Sequence, residues 1–153
     1  MEIEPQREPK AEIPLLGGQL TPGIMRVGNT VRRPAKDNAA FVHDLLLFLQ
    51  DQGFPFAPHF LGLDEQDRDI LSYLEGETWP DSGSGLSDDL LEEAARAIRC
   101  YHDATAGSRL SQGHEIVAHH ELGPHNTIFQ GGHLVGFIDW DDATPGTRLR
   151  DLA

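Results

Sequence analysis

The 153-residue chain is 39% hydrophobic and 24% charged, which is the make-up of a single globular domain and not of a disordered segment. Twelve Lys and Arg against 25 Asp and Glu leave a net charge of −13, a potential that repels nucleic-acid backbones and anionic membranes and suits either a cationic small molecule or plain solubility. Cys100 is the single cysteine, so an intramolecular disulfide and a Cys-rich metal site are excluded, and the acidic start Met1–Pro5 has no apolar run of the signal or spanning kind; both fit a cytoplasmic protein.

Residues 1–12 read as a flexible acidic tail. From Ile13 short β-prone runs alternate with Gly and Asn, through Leu15-Leu16, Gly17-Gly18, Gly23 to Val27, and Thr30 to Arg33, which predicts a meander closed by Pro34. Asp37 or Asn38 can then cap a helix whose apolar residues Phe41, Val42, Leu45, Leu46 and Leu49 recur at helical spacing, with Gly53 as its stop. Strands follow around His59–Leu63 and Asp69–Leu74, separated by the polar turn Asp64–Asp67. The stretch Glu75–Gly85, rich in Gly, Pro, Ser and acid, reads as a linker. Ser87 caps a second helix to about Asp103, with Asp88 and Asp89 favourable to its dipole and Leu90, Leu91, Ala94, Ile98 and Tyr101 as its apolar face. Two apolar runs, Thr127–Gln130 and His133–Ile138, flank Gly131-Gly132 and predict a two-residue hairpin.

The chemistry concentrates in His119-His120-Glu121-Leu122-Gly123-Pro124-His125-Asn126, which has the His-x-acid, four residues, Asn spacing of a phosphoryl-transfer loop. Such a loop needs an acid to take the acceptor hydroxyl's proton and, a few residues on, an amide oxygen for Mg²⁺ beside the transferred phosphate. Thirteen residues after Asn126, at the end of an apolar strand, Asp139 supplies a carboxylate for the same ion; Asp141 could assist. His114, His119, His120 and His125 fit no tight zinc spacing, and no Gly-x4-Gly-Lys-Ser/Thr string is present, which excludes a P-loop.

Together with Ile138-Asp139-Trp140-Asp141 and the run Pro145–Ala153, this loop resembles the aminoglycoside phosphotransferase family of small-molecule kinases, over residues 15 to 153. The resemblance implies an α+β, protein-kinase-like two-lobed fold: a β-sheet N-lobe with one helix at 13–76, and a helical C-lobe with the catalytic hairpin at 77–153. It implies ATP as co-substrate, Mg²⁺ held by Asn126 and Asp139, a hydroxyl-bearing small molecule as acceptor, and Glu121 as base. By position it places Gly17 and Gly18 on the phosphate-covering turn, Arg33 where a strand cation steadies the nucleotide phosphates, Tyr73 and Leu74 at the adenine-binding hinge, and His119 in a structural role.

Three departures accompany the resemblance. The family has Asp where this chain has Glu121 and Gly where it has His120; the first helix offers Val42, His43 and Asp44 where a Glu would pair with the strand cation; and the family continues past the position of Ala153 into further helices. One added methylene can displace a reacting group by about 1 Å, enough to cost roughly 10²-fold. An impaired or inactive, pseudokinase-like nucleotide binder is therefore the alternative expectation. A C-lobe lacking its last helices would be truncated, with apolar surface that a homodimer could cover.

Overall fold

The structure, a computed structural model, describes residues 10–15, 22–79 and 85–153. These residues form two compact units. One holds the described residues up to Ala35 together with Leu61–Tyr73; the other holds Lys36–Phe60 and Leu74–Ala153. Gly17 and Gly18 lie outside the described residues.

The first unit is built on a five-stranded sheet of β1 (Ile13–Pro14), β2 (Met25–Val27), β3 (Thr30–Pro34), β4 (Phe60–Leu63) and β5 (Arg68–Ser72), in the order β1-β2-β3-β5-β4. The Gly28-Asn29 turn joins β2 and β3 antiparallel, and Gly28 takes a φ of +61° that few other residues accept. In the pairing of β3 with β5, Arg33 stands opposite Asp69, and both are buried. The alternation of the pleat puts Asp69 and Leu71 inward, while Arg68 turns outward to a bidentate bond with Glu12 and a bond with Asp64.

The second unit contains α1 (Ala39–Asp51), β6 (Glu77–Thr78), α2 (Asp88–Thr105), β7 (Ile116–Ala118), β8 (Thr127–Gln130), β9 (His133–Phe137), β10 (Thr144–Gly146) and α3 (Arg148–Leu152). The predicted helix is present and is grouped with this second unit. Its buried stripe is Val42, Leu45, Leu46 and Leu49, as the spacing dictates. Ser87 caps α2 by accepting a hydrogen bond from the backbone N–H of Leu90, and Asp88 and Asp89 occupy its first turn. The face of α2 that goes deepest is Leu90, Ala97 and Tyr101, whereas Leu91 is exposed and Ala94 and Ile98 are half-buried along a groove of about 660 Å³. The expected linker Glu75–Gly85 contains β6, which pairs with β8 in a three-stranded sheet β6-β8-β9.

β8 and β9 form the predicted hairpin, with φ of +59° at Gly131 and +79° at Gly132, the doubly left-handed turn that matches strand twist. The ladder carries one irregularity. Phe129 faces Leu134 but Ile128 faces Gly136, so Val135 is an extra residue in β9. β7 and β10 form a separate two-stranded antiparallel sheet. Tyr101, Ile116, Val117, Ala118, Phe137 and Trp140 are the centre of the core, immediately beneath the loops described next. No helix among the described residues is long and apolar enough to cross a membrane.

Candidate active site

The loop from His119 to Asn126 leaves the buried strand β7 and enters β8 through a single 3₁₀ turn at Pro124–Asn126. His119 anchors it from below. The ring is fully buried, donates from Nε2 to the carbonyl of Ile138 at 3.0 Å, and accepts at Nδ1 from the backbone N–H of Glu121 at 3.2 Å. With one nitrogen donating and the other accepting, the imidazole is fixed as the neutral Nε2–H tautomer. Burial pulls its pKa to about 4, in keeping with that assignment. The edge of the ring also meets Trp140, at a centroid distance of 4.5 Å.

Asn126 is buried, and its Nδ2 donates to the carbonyl of Glu121 at 3.0 Å, with the Glu121 carboxylate oxygen Oε2 at 3.4 Å. Both neighbours are acceptors, which decides the orientation of the amide: nitrogen faces Glu121 and Oδ1 faces away. No protein donor among the described residues reaches that Oδ1. The backbone carbonyl of Asn126 accepts from the N–H of Ile138 at 2.9 Å, so the residue before Asp139 is pinned beside Asn126. Asp139 itself has a φ of +61°, a left-handed conformation that costs a non-glycine residue about 1 kcal/mol and is typical of functional turns. An amide oxygen and a carboxylate are hard donors of the kind Mg²⁺ takes in ones and twos, the remaining positions going to phosphate and water. The residues present fit that ion. Among the described residues no group of three or more His, Cys, Asp or Glu converges as a metal site of its own.

Several contributing residues escaped the sequence reading. Asp151 on α3 is buried and accepts from the N–H of His120 at 2.6 Å and from Nε2 of His102 on α2 at 2.7 Å. One carboxylate thus ties two helices to the backbone of the His119–Asn126 loop. Burial pushes the Asp151 pKa up, but the hydrogen bonds from His102 and from the backbone N–H groups of His120 and His119 outweigh it, and the net shift is downward. His120, expected as a simply exposed loop residue, is half-buried at a φ of +72°, and its Nε2 lies 2.8 Å from the hydroxyl of Thr144 on β10. Its left-handed backbone is the reason a glycine suits this position. His125 is exposed, and its ring lies against Gly123 so closely that a Cβ there would sit 2.5 Å from it.

The remaining predicted residues belong to the sheet unit or to its junction with the rest of the chain. Arg33 is buried on β3. Tyr73 follows β5, donates its N–H to the carbonyl of Asn29 and carries the Arg26 guanidinium 3.8 Å over its ring. Leu74 begins the second unit and lies against Gly136.

The sequence pattern of the phosphotransferase enzyme family matches residues 86–153, the segment that carries the loop, Asn126, Asp139 and Asp151. The match is to that segment, and the resemblance to aminoglycoside phosphotransferases is borne out. Among individual proteins, the chain is 33% identical over 163 aligned residues to the trifolitoxin immunity protein of Rhizobium leguminosarum bv. trifolii, an alignment covering 93% of this chain and 59% of that protein. The fold is similar to that of the aminoglycoside kinase in the streptomycin–ATP–APH(2")-IIa ternary complex, with a TM-score of 0.50 at 13% identity over 93% of this chain and 70% of that one.

Proposed function

We propose that this chain acts as an ATP- and Mg²⁺-dependent phosphotransferase on a hydroxyl group of a small molecule, of the aminoglycoside-kinase type. The observation that carries the reading is the orientation of Asn126: its nitrogen is occupied by Glu121, which leaves an amide oxygen beside the segment that presents Asp139. Asn126 Oδ1 and the Asp139 carboxylate would hold Mg²⁺, and the ion when bound neutralises charge on the nucleotide phosphates. Glu121 accepts the proton of the acceptor hydroxyl as its oxygen bonds to the γ-phosphorus, and the bond from that phosphorus to the bridging oxygen breaks to release ADP. Arg33 is assigned to the nucleotide phosphates, Gly17 and Gly18 to the turn that covers them, and Tyr73 and Leu74 to adenine. The bound ATP and streptomycin of the structural relative support a nucleotide and a small cationic acceptor, and the net charge of −13 is compatible with the latter. The exposed Cys100 suits a reducing cytoplasm.

Calorimetric titration with ATP, in the presence and absence of Mg²⁺, tests the proposal. Wild type is expected to bind in a Mg²⁺-dependent manner and Asp139→Ala to lose that dependence; a variant that retains it refutes the assignment. A second reading is favoured by one observation, the longer Glu121 at the base position: the chain would bind nucleotide with little or no transfer. Binding without turnover of any acceptor in a panel of aminoglycosides would select it. The groove along α2 is the face a second copy would cover, and light scattering reads that directly.

A further inference from the structure

We propose that Lys36 and Asn38, just before α1, are positioning residues that clamp the turn following Asp139 and so hold the metal-binding loop in place for the cation. The inference rests on the metal site of the proposed function. Three contacts form the clamp. Lys36 Nζ lies 2.8 Å from Asp141 Oδ2, and the Asn38 side chain donates from Nδ2 to the carbonyls of Asp141 at 3.0 Å and Ala143 at 2.8 Å.

Asn38 sits at the N-cap of α1, where its side chain would ordinarily accept from the helix's own N–H groups, yet it makes no such bond. Its amide is committed instead to a turn more than a hundred residues away in sequence. That turn is itself closed by the N–H of Ala143 bonding to the carbonyl of Trp140, and Trp140 is buried with its Nε1 on the carbonyl of Phe137. Residues 140–143 are therefore held from both sides, and Asp139 enters them in the left-handed conformation noted above. The clamp thus adds to what holds a non-glycine residue in that conformation.

Charge gives the second half of the argument. Asp139, Asp141 and Asp142 place three carboxylates in four residues. Asp142 is exposed, whereas the Asp141 side chain is only 13% exposed and its oxygen is occupied by the Lys36 ammonium. The pair removes one negative charge from the loop. The central positions of α1 cannot supply this support: Val42 is buried, His43 stacks on Phe60 and Asp44 faces Arg109. The helix thus serves the site from its first turn and the segment before it.

The test compares wild type, Asn38→Ala, Lys36→Ala and Lys36→Arg by hydrogen exchange of the nucleotide-free protein and by calorimetry with ATP, with and without Mg²⁺. Groups that orient metal ligands typically change metal affinity by about 10- to 100-fold when removed. The expected result is faster exchange of the Ala143 amide in Asn38→Ala, a loss of about tenfold in Mg²⁺-dependent ATP affinity in both alanine variants, and wild-type behaviour in Lys36→Arg. Metal-free ATP binding stays unchanged, which a general loss of structure would not allow. Unchanged exchange in Asn38→Ala, or unchanged Mg²⁺-dependent affinity in both alanine variants, overturns the clamp. If Asn38→Ala does not fold, Lys36→Ala, at a half-exposed side chain, decides. A wild type that shows no Mg²⁺-dependent binding refutes the proposed function, and the exchange measurement then judges the clamp alone.

Discussion

Replacing Asp151 probes how the His119–Asn126 loop is held, because this one side chain takes donors from His102, His120 and His119. In Asp151→Ala those donors stay buried and lose their acceptor; His102 is only 2% exposed and cannot turn to water. An unsatisfied buried polar group costs about 1–3 kcal/mol, and more where a charged group is involved. The groups share one acceptor, so their costs overlap, and about 1–3 kcal/mol is expected for the variant. Asp151→Asn keeps the shape and one acceptor oxygen but turns an NH₂ toward a donor, and roughly half that loss follows. Urea unfolding at pH 7, with equal slopes for the proteins, measures both. The sign of the pH dependence is fixed by the lowered Asp151 pKa. Its contribution is complete above the ordinary aspartate value of about 3.9 and is lost as pH falls through the lower folded value, so the gap between wild type and Asp151→Asn narrows in acid. A loss below about 1 kcal/mol for Asp151→Ala would refute the reasoning, since that is the worth of an ordinary exposed hydrogen bond.

Two further outcomes follow from the site. His119 is held neutral, with a folded pKa of about 4, so the unfolded chain takes up a proton first as pH falls below 6.5, and stability declines from there down to about 4. The decline attributable to this residue is roughly 3 kcal/mol, and its ring resonances in an NMR titration should stay still until pH falls to about 5. Glu121→Asp tests the base: if Glu121 is the tuned proton acceptor, turnover falls by up to about 10²-fold, whereas a rise from near zero shows that the added methylene had disabled the site.

How much of this was legible beforehand depends on sequence distance. The hairpin was readable because Gly131-Gly132 encodes its own turn, and the loop because His119, Glu121 and Asn126 lie within eight residues. α1 and α2 were readable from spacing, and Ser87 capped α2 as expected. Asn38 was assigned to its own helix by the same local rule, and two distant carbonyls took its amide instead. The His102–Asp151 bond spans 49 residues, and neither side chain is marked by its immediate neighbours. The two-residue β6 inside a polar stretch had no alternation to display; it exists because β8 offers an edge. Leu91 shares the hydrophobic period of α2 yet remains exposed, since spacing tells which residues share a face but not what covers it.

The extra residue in β9 gives the hairpin the character of a ruler. Asn126 stands at one foot and Asp139 at the other, and the offset between them is set by counting residues around the ladder, including Val135. Shortening β9 by that one residue would slide one foot past the other by about 3.3 Å and exchange inward for outward side chains beyond the step. Mg²⁺ binds its oxygens at about 2.0–2.1 Å in a nearly fixed octahedron, and it would not span such a slip. The gauge of the proposed metal site is thus written in the ladder of β9 as well as in its ligands, and a deletion there is expected to read as the loss of one of them.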